Sequence, residues 1–201
     1  MRLPAAVVLF VWLPLALAWR AEAPACVEAG TAQKLEIENL VGQCDQGFEG
    51  RVQHIRVVEA GQKRIETEVT FSVSRRFWGA GGSELVVRMP GGVLPDGRGL
   101  VLPGLPRFRE GEELLLFLSA ESRTGTRVPV GLAQGRFRIE RRAGSAKTLV
   151  RDQDELELYD PQTRRTSRAE PRALFEYSAV VARIEAAAQE RRQREARGGG
   201  R

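Results

Sequence analysis

Residues 65–74 alternate between two classes of side chain, and this alternation constrains the fold more than any other stretch of the chain. The apolar or β-branched positions are Ile65, Thr67, Val69, Phe71 and Val73, and the polar positions between them are Glu66, Glu68, Thr70, Ser72 and Ser74. Successive side chains of a β-strand point to opposite faces, so the pattern predicts a strand with one buried and one solvated face. Such a strand needs hydrogen-bonded neighbours, which makes a β-sheet the organising element of the chain.

Further strands are predicted on both sides of this one. Upstream, the apolar face shifts by one residue between Val52 and Ile55, as a β-bulge near His54 would cause. In residues 135–140, Phe137 is expected to point inward and Arg136 outward. The other predicted strands cover residues 48–57, 85–89, 114–118, 126–130, 147–150 and 156–159, of which 114–118 is apolar throughout and reads as covered on both faces. Short strands joined by Gly- and Pro-rich turns predict a mainly β fold, a small antiparallel, OB-like barrel of five to six strands.

Two helices are predicted to flank the barrel. The N-terminal one is short, capped by Thr31, and buries a face formed by Ile37, Leu40, Val41 and Cys44. The C-terminal one is amphipathic and begins at Pro171, with a stripe of apolar side chains at Leu174, Tyr177, Val181, Ile184 and Ala188. Residues after 188 are charged on all sides and end in three glycines, which predicts a charged, flexible tail.

The first 18 residues have the character of a secretory signal peptide. A basic start is followed by an apolar stretch of about 16 residues, which is short for a membrane span. Cleavage after Ala18 fits the small-x-small pattern; cleavage after Ala25 would make Cys26 the first mature residue, open to lipid modification as a membrane anchor. The mature protein is then periplasmic or secreted, without a transmembrane segment. The predicted organisation is 1–18 signal peptide, 19–47 N-terminal segment with the short helix, 48–160 β-barrel domain, 161–188 C-terminal packing helix and 189–201 tail.

Export changes how the two cysteines are interpreted. In an oxidising compartment Cys26 and Cys44 are the only possible intramolecular pair. A disulfide between them would stabilise the fold by roughly 3 kcal/mol through loop closure. The alternative is two unpaired thiols, with Cys44 buried on the short helix.

The net charge of +5 raises the question of a polyanionic partner. Nearly all the basic residues are Arg, and they are scattered along the chain rather than grouped. Scattered charges of mixed sign are typical of a solvated surface, so no nucleic-acid partner is predicted.

Catalytic motifs are not found in the sequence. His54 is the only histidine, which removes most Ser-His and Cys-His mechanisms, and no phosphate-binding loop or zinc motif is present. The acidic residues between Asp152 and Asp160 do not follow the EF-hand pattern. We therefore predict no catalytic residues, no metal and no cofactor.

An ordered series of short motifs is shared with a known family. The motifs are Gly104-Leu105-Pro106-Arg107-Phe108, Gly111-Glu112, Leu115-Leu116-Phe117-Leu118 and Gly131-Leu132-Ala133-Gln134-Gly135-Arg136-Phe137. Over residues 35–185 the chain resembles a family of uncharacterised exported bacterial proteins with the pattern GxPxF, GE, LLFL, GLxQGxF. It departs from that family where Phe77-Trp78-Gly79 closes the alternating strand in place of Lys-Gly. The resemblance implies export but no activity, and Gln134 either ties a turn or faces a binding site.

A long loop at residues 90–112 is where the sequence places a binding function. Two to five residues would suffice to join two strands, yet this loop also carries exposed apolar candidates. It either folds back over the barrel end or presents Leu100, Val101 and Leu102 to a partner.

The predicted function is an exported, non-enzymatic binding or structural module of the bacterial cell envelope, whose partner is another envelope or secreted protein. One alternative is similar to the OB-like tissue inhibitors of metalloproteinases, in which an N-terminal cysteine chelates the protease zinc. Cys26 could do this only after cleavage at Ala25, and the several disulfides of those inhibitors are missing. A hydrolase is the less favoured alternative.

Overall fold

The computed structural model describes residues 30–141, 144, 146–153 and 156–198. The predicted signal peptide, both candidate cleavage sites and Cys26 lie outside the described residues. In chain order the strands are β1 (Gly30–Gln33), β2 (Gln46–Ala60), β3 (Arg64–Trp78), β4 (Glu84–Pro90), β5 (Gly92–Val93), β6 (Gly99–Leu100), β7 (Glu113–Leu118), β8 (Arg136–Glu140), β9 (Thr148–Asp152), β10 (Leu156–Asp160), β11 (Arg165–Arg168) and β12 (Arg172–Glu176). The helices are α1 (Ile37–Gln43) and α2 (Tyr177–Gly198).

Seven of the strands form one antiparallel sheet in the order β12-β9-β8-β7-β2-β3-β4. Within the described residues its two outer strands, β4 and β12, do not pair with each other, so the sheet is open. The mainly β class and the C-terminal helix are confirmed, whereas a closed barrel of five to six strands is not. Closure depends on hydrogen bonds between the first and last strands of the sheet, and no local sequence pattern encodes that pairing.

Two smaller sheets accompany the large one. In the first, β1 runs parallel to β10, which pairs antiparallel with β11. In the second, β5 and β6 form a short hairpin. This hairpin lies inside the predicted loop 90–112, to which the sequence assigns the binding function; of the three candidates Leu100, Val101 and Leu102, only Leu100 belongs to its strands.

The large sheet is buried on both faces at its centre. In β7, Leu115 and Phe117 point to the side covered by the two helices, while Leu114, Leu116 and Leu118 point to the other side, and all five are fully buried. This confirms the prediction that the apolar run is covered on both faces. The second core also contains Val69 and Phe71, as the alternating pattern requires. Glu66, predicted to lie on the solvated face, is instead buried, where it pairs with Arg64.

The predicted bulge is present. The β2–β3 register shifts between Val52 and His54, which moves the apolar side of β2 to Ile55 as expected. Residues 126–130, by contrast, form only a single bridge between Pro129 and Leu118 instead of the predicted strand.

The start of α1 differs from the prediction. Thr31 lies in β1, and the helix is capped by Glu36 through a reciprocal capping box with Asn39. The predicted cap is wrong because residues 30–33 find a hydrogen-bonding partner in β10, far away in the sequence. The predicted buried face is confirmed, since Ile37, Leu40 and Val41 are buried.

The C-terminal helix begins later and extends further than predicted. Residues 172–176 pair with β9 as strand β12, and Leu174, placed on the buried stripe by the sequence, is 63% exposed. The helix begins at Tyr177, after Glu176 accepts hydrogen bonds from the Ser178 and Ala179 backbone N–H groups. It continues through residues 189–198, which were predicted to be a flexible tail.

Arg136 was predicted to point outward and is instead buried. It forms an ion pair with buried Glu112, and its guanidinium lies 5.5 Å from the ring centre of Phe108. A period-two pattern assigns a charged side chain to the solvated face by default. Here a carboxylate and an aromatic ring from residues 108–112 cover that face.

Candidate binding surface

The base of the β5–β6 hairpin is fastened to strand β3. The Gly91 N–H donates to the Ile65 carbonyl at 2.8 Å, and the Thr67 hydroxyl donates to the Gly91 carbonyl at 2.7 Å. Gly92 has a φ of +132°, and a Cβ there would lie 2.6 Å from the Thr67 hydroxyl oxygen. Only glycine permits so close an approach, so the hairpin leaves the sheet in one defined direction.

The tip of the hairpin is held by polar contacts. The Leu94 N–H donates to the Arg98 carbonyl at 2.8 Å, and the Arg98 Nη2 donates to Glu59 Oε2 at 2.7 Å. Arg98 Nε also donates to Asp96 Oδ2 at 2.8 Å, which lowers the pKa of the Asp96 carboxyl. These contacts order the turn, in which Leu94 is buried while Val93 beside it stays exposed.

Three apolar side chains of the hairpin remain open to solvent. Val93 is 55% exposed, Leu100 45% and Val101 57%. The strand register sets Val93 opposite Gly99 and Leu100 opposite Gly92. Cross-strand partners share a face and successive residues alternate, so Val93 and Leu100 lie on opposite faces of the hairpin, each beside a glycine that has no side chain to cover it. We call Val93, Leu100 and Val101 the apolar hairpin surface.

The remainder of the predicted loop has a structural role. Leu102 is half-buried, and the Gly104 carbonyl accepts a hydrogen bond from the Ala133 N–H at 2.9 Å. Phe108 packs edge-on against Phe71 with ring centres 5.8 Å apart, and so adds to the second core. The loop therefore folds back over the sheet in its second half and presents exposed side chains in its first half.

Gln134 is fully buried and all its polar contacts are with backbone. Its Oε1 accepts a hydrogen bond from the Leu35 N–H at 2.9 Å, and its Nε2 donates to the Gln33 and Gly131 carbonyls at 2.8 and 3.1 Å. The side chain thus ties the segment between β1 and α1 to the turn that precedes β8.

Cys44 is a buried, free thiol at the end of α1. Burial raises its pKa to about 11. The described residues contain no disulfide, and Cys26 lies outside them, so the predicted Cys26–Cys44 bond is not confirmed.

The other features considered in the sequence form no larger cluster. His54 Nδ1 lies 2.9 Å from Glu110 Oε1, and both side chains are more than half exposed. Among the described residues, no three His, Cys, Asp or Glu side chains are grouped so that they could hold a metal ion. Within the same part of the chain, no helix has the length and apolar character needed to cross a membrane.

A second surface feature was missed in the sequence. The end of β3 and the second half of α2 enclose a groove lined by Arg76, Phe77, Trp78, Gly79 and Arg192, which we call the arginine groove. Its signal in the sequence is two adjacent-arginine pairs, 75–76 and 191–192. The second pair was assigned to the tail, and only the fold brings the two together.

Comparisons with known proteins give no information on function, so a functional proposal rests on the surface geometry. The chain matches no protein-family model, and no curated protein or solved structure is significantly similar to it.

Proposed function

We propose that this chain is an exported, non-enzymatic binding module of the bacterial cell envelope, periplasmic or secreted, which engages a protein partner through the apolar hairpin surface. The observation that carries the proposal is an ordered hairpin that leaves Val93, Leu100 and Val101 about half exposed. Exposed apolar side chains concentrated in one short segment are typical of interaction sites, whereas single ones are common on any surface.

The geometry favours association because the hairpin is already ordered. Binding normally costs about 0.5–1.5 kcal/mol for each side chain that must be immobilised, and more for a loop that must be ordered. The bonds from Gly91 to Ile65 and from Arg98 to Glu59 remove most of the loop cost before a partner arrives.

The free energy gained by burying the apolar hairpin surface also indicates how much further contact a partner must make. Full burial of one Val or Leu side chain contributes about 1.5–3 kcal/mol, so completing the burial of three half-exposed ones contributes about 3 kcal/mol. That is less than the cost of association. The hairpin would therefore be the centre of a larger interface.

Site-specific photo-crosslinking tests this proposal directly. A photo-reactive amino acid at position 101, in the hairpin, is compared with one at position 86 in β4. Val86 is a matched control because it is 56% exposed, against 57% for Val101. We expect one discrete protein adduct from position 101, absent from position 86, and lost when Leu100→Asp is added. No adduct from position 101, or the same adduct from both positions, would refute the proposed surface.

The metalloprotease-inhibitor alternative depends on the position of the mature N-terminus. It requires Cys26 to be the first mature residue, and that residue lies outside the described part of the chain. Mass spectrometry of the mature N-terminus decides it: a chain that begins at Trp19 excludes zinc chelation by Cys26, and a lipid on Cys26 indicates a membrane anchor instead.

A further inference from the structure

The arginine groove has the volume and the lining of a small anion site. It encloses about 310 Å³ between the end of β3 and α2, near the lower limit of small-molecule pockets. Its lining contains the two cationic side chains Arg76 and Arg192 and no carboxylate. A neighbouring hollow of about 250 Å³ shares both arginines and adds Arg75, whose charge is offset by Glu185.

Neutral groups hold the two arginines in place. Arg76 Nη1 donates to Gln46 Oε1 at 2.5 Å and its Nη2 to the Gly82 carbonyl at 3.0 Å, while Arg192 Nη2 donates to the Phe77 carbonyl at 2.7 Å. Within the described residues, neither side chain forms an ion pair. The hydrogen bonds thus orient both guanidinium groups, and the carboxylate of the neighbouring hollow, Glu185, pairs with Arg75 instead.

Unused hydrogen-bond donors accompany these charges. A guanidinium carries five N–H donors in a planar fork, of which Arg76 uses two and Arg192 one. Forked donors match the oxygen atoms of phosphate in bidentate geometry. Two such groups on one groove provide enough donors to surround a single tetrahedral oxyanion.

The backbone beside the groove is adapted to this arrangement. Gly79 has a φ of +84°, and a Cβ there would lie 2.5 Å from the Asp45 carbonyl oxygen and 2.6 Å from Gln46 Oε1. Any other residue would displace Gln46, the side chain that orients Arg76. Trp78 provides a flat wall, with the Arg192 guanidinium 5.5 Å from its ring centre.

We infer that the arginine groove binds a phosphoryl group, carried either by a small phosphorylated molecule or by a phospholipid headgroup. The site is separate from the proposed protein-binding hairpin. The hairpin joins β3 at Ile65 and the groove lies at Trp78. Thirteen residues of extended strand separate these points by roughly 40 Å.

Titration calorimetry with inorganic phosphate at low salt tests the inference. The purified chain is compared with Arg76→Gln, Arg192→Gln and Arg123→Gln. The third variant is the matched control, because it removes the same charge from an exposed loop position. We expect saturable binding in the wild type and in the control, and affinity lowered about tenfold or more in each groove variant, as loss of a charged hydrogen bond implies.

A second arm distinguishes the two sources of the phosphoryl group. Vesicles of phosphatidylcholine, with or without phosphatidylglycerol, are floated with the same four proteins. Flotation that requires phosphatidylglycerol and both groove arginines assigns the site to a lipid headgroup, and phosphate binding without flotation assigns it to a small molecule. The inference is overturned if wild type binds neither phosphate nor vesicles, or if the folded groove variants bind as the control does. Leu100→Asp should leave both readouts unchanged, so failure of this site and of the hairpin proposal can be told apart.

Discussion

Replacing Arg191 by Ala should lower the free energy of unfolding by about 3.5 kcal/mol, because it removes two hydrogen bonds and a cation–π contact. Arg191 Nη1 donates to the Val41 and Cys44 carbonyls at 2.8 and 2.7 Å, and the guanidinium lies 4.0 Å from the ring centre of Trp78. Carbonyls at the end of a helix have no partner within it, so Arg191 completes the hydrogen bonding of α1.

The magnitude follows from those contacts. A hydrogen bond from a charged donor contributes about 1.5–3 kcal/mol, and a cation–π contact about 0.5–1 kcal/mol at a partly exposed site. The Arg191 side chain is 21% exposed, so the lower ends of these ranges apply, and the two hydrogen bonds and one cation–π contact together give about 3.5 kcal/mol. For a domain of this size, that lowers Tm by roughly 7–14 °C.

Urea unfolding measures the change in the free energy of unfolding and thermal unfolding measures the change in Tm, each followed by circular dichroism. Arg194→Ala is the control, because it removes an exposed arginine from the same helix and should change stability by less than about 0.5 kcal/mol. Arg191→Lys keeps the charge but lacks the planar fork, and should fall between the two. Equal stability of the Arg191→Ala and Arg194→Ala variants would show that the second half of α2 does not dock on α1.

Two further predictions concern the core. Phe71→Asp should abolish cooperative urea unfolding because it buries an unpaired carboxylate between two aromatic rings, whereas Ser72→Asp on the other face of β3 should be nearly silent; equal effects would contradict the register. For Cys44, the folded pKa of about 11 exceeds the ordinary value of 9.0, so the unfolded state loses this proton first and stability falls as pH rises from about 9 to 11. The loss should approach 3 kcal/mol in urea titrations and be absent in Cys44→Ala, and a thiol reagent at neutral pH should label Cys44 only on unfolding.

Local periodicity was enough to predict β3, β7 and the bulge near His54. In each case the information is the direction of successive side chains, which depends only on the strand's own backbone. The buried face of α1 was predictable for the same reason. These elements contribute side chains to both cores, and the sequence alone identifies them as buried.

The candidate sites could be predicted only in part from the sequence. The sequence located the loop that contains the hairpin, because its length exceeds what a strand connection needs. It could not divide that loop into an exposed half at Leu100 and a buried half at Phe108, since that depends on which residues meet Phe71. The arginine groove could not be predicted from the sequence, because Arg76 and Arg192 are far apart in the chain and only the docking of α2 brings them together.

By itself, the sequence determined the mainly β class, the buried face at the centre of β3, the apolar face of α1 and the part of the α2 stripe that follows Tyr177, because these are properties of neighbouring residues. Tertiary structure alone decided that β12 replaces the predicted start of α2, that β1 runs parallel to β10 and that the sheet remains open. Each of these outcomes is a choice of hydrogen-bonding partner between distant segments. The backbone hydrogen bonds of such a segment can be formed in a helix, a turn or a strand. Which of these forms depends on the neighbouring segments that the rest of the fold places beside it.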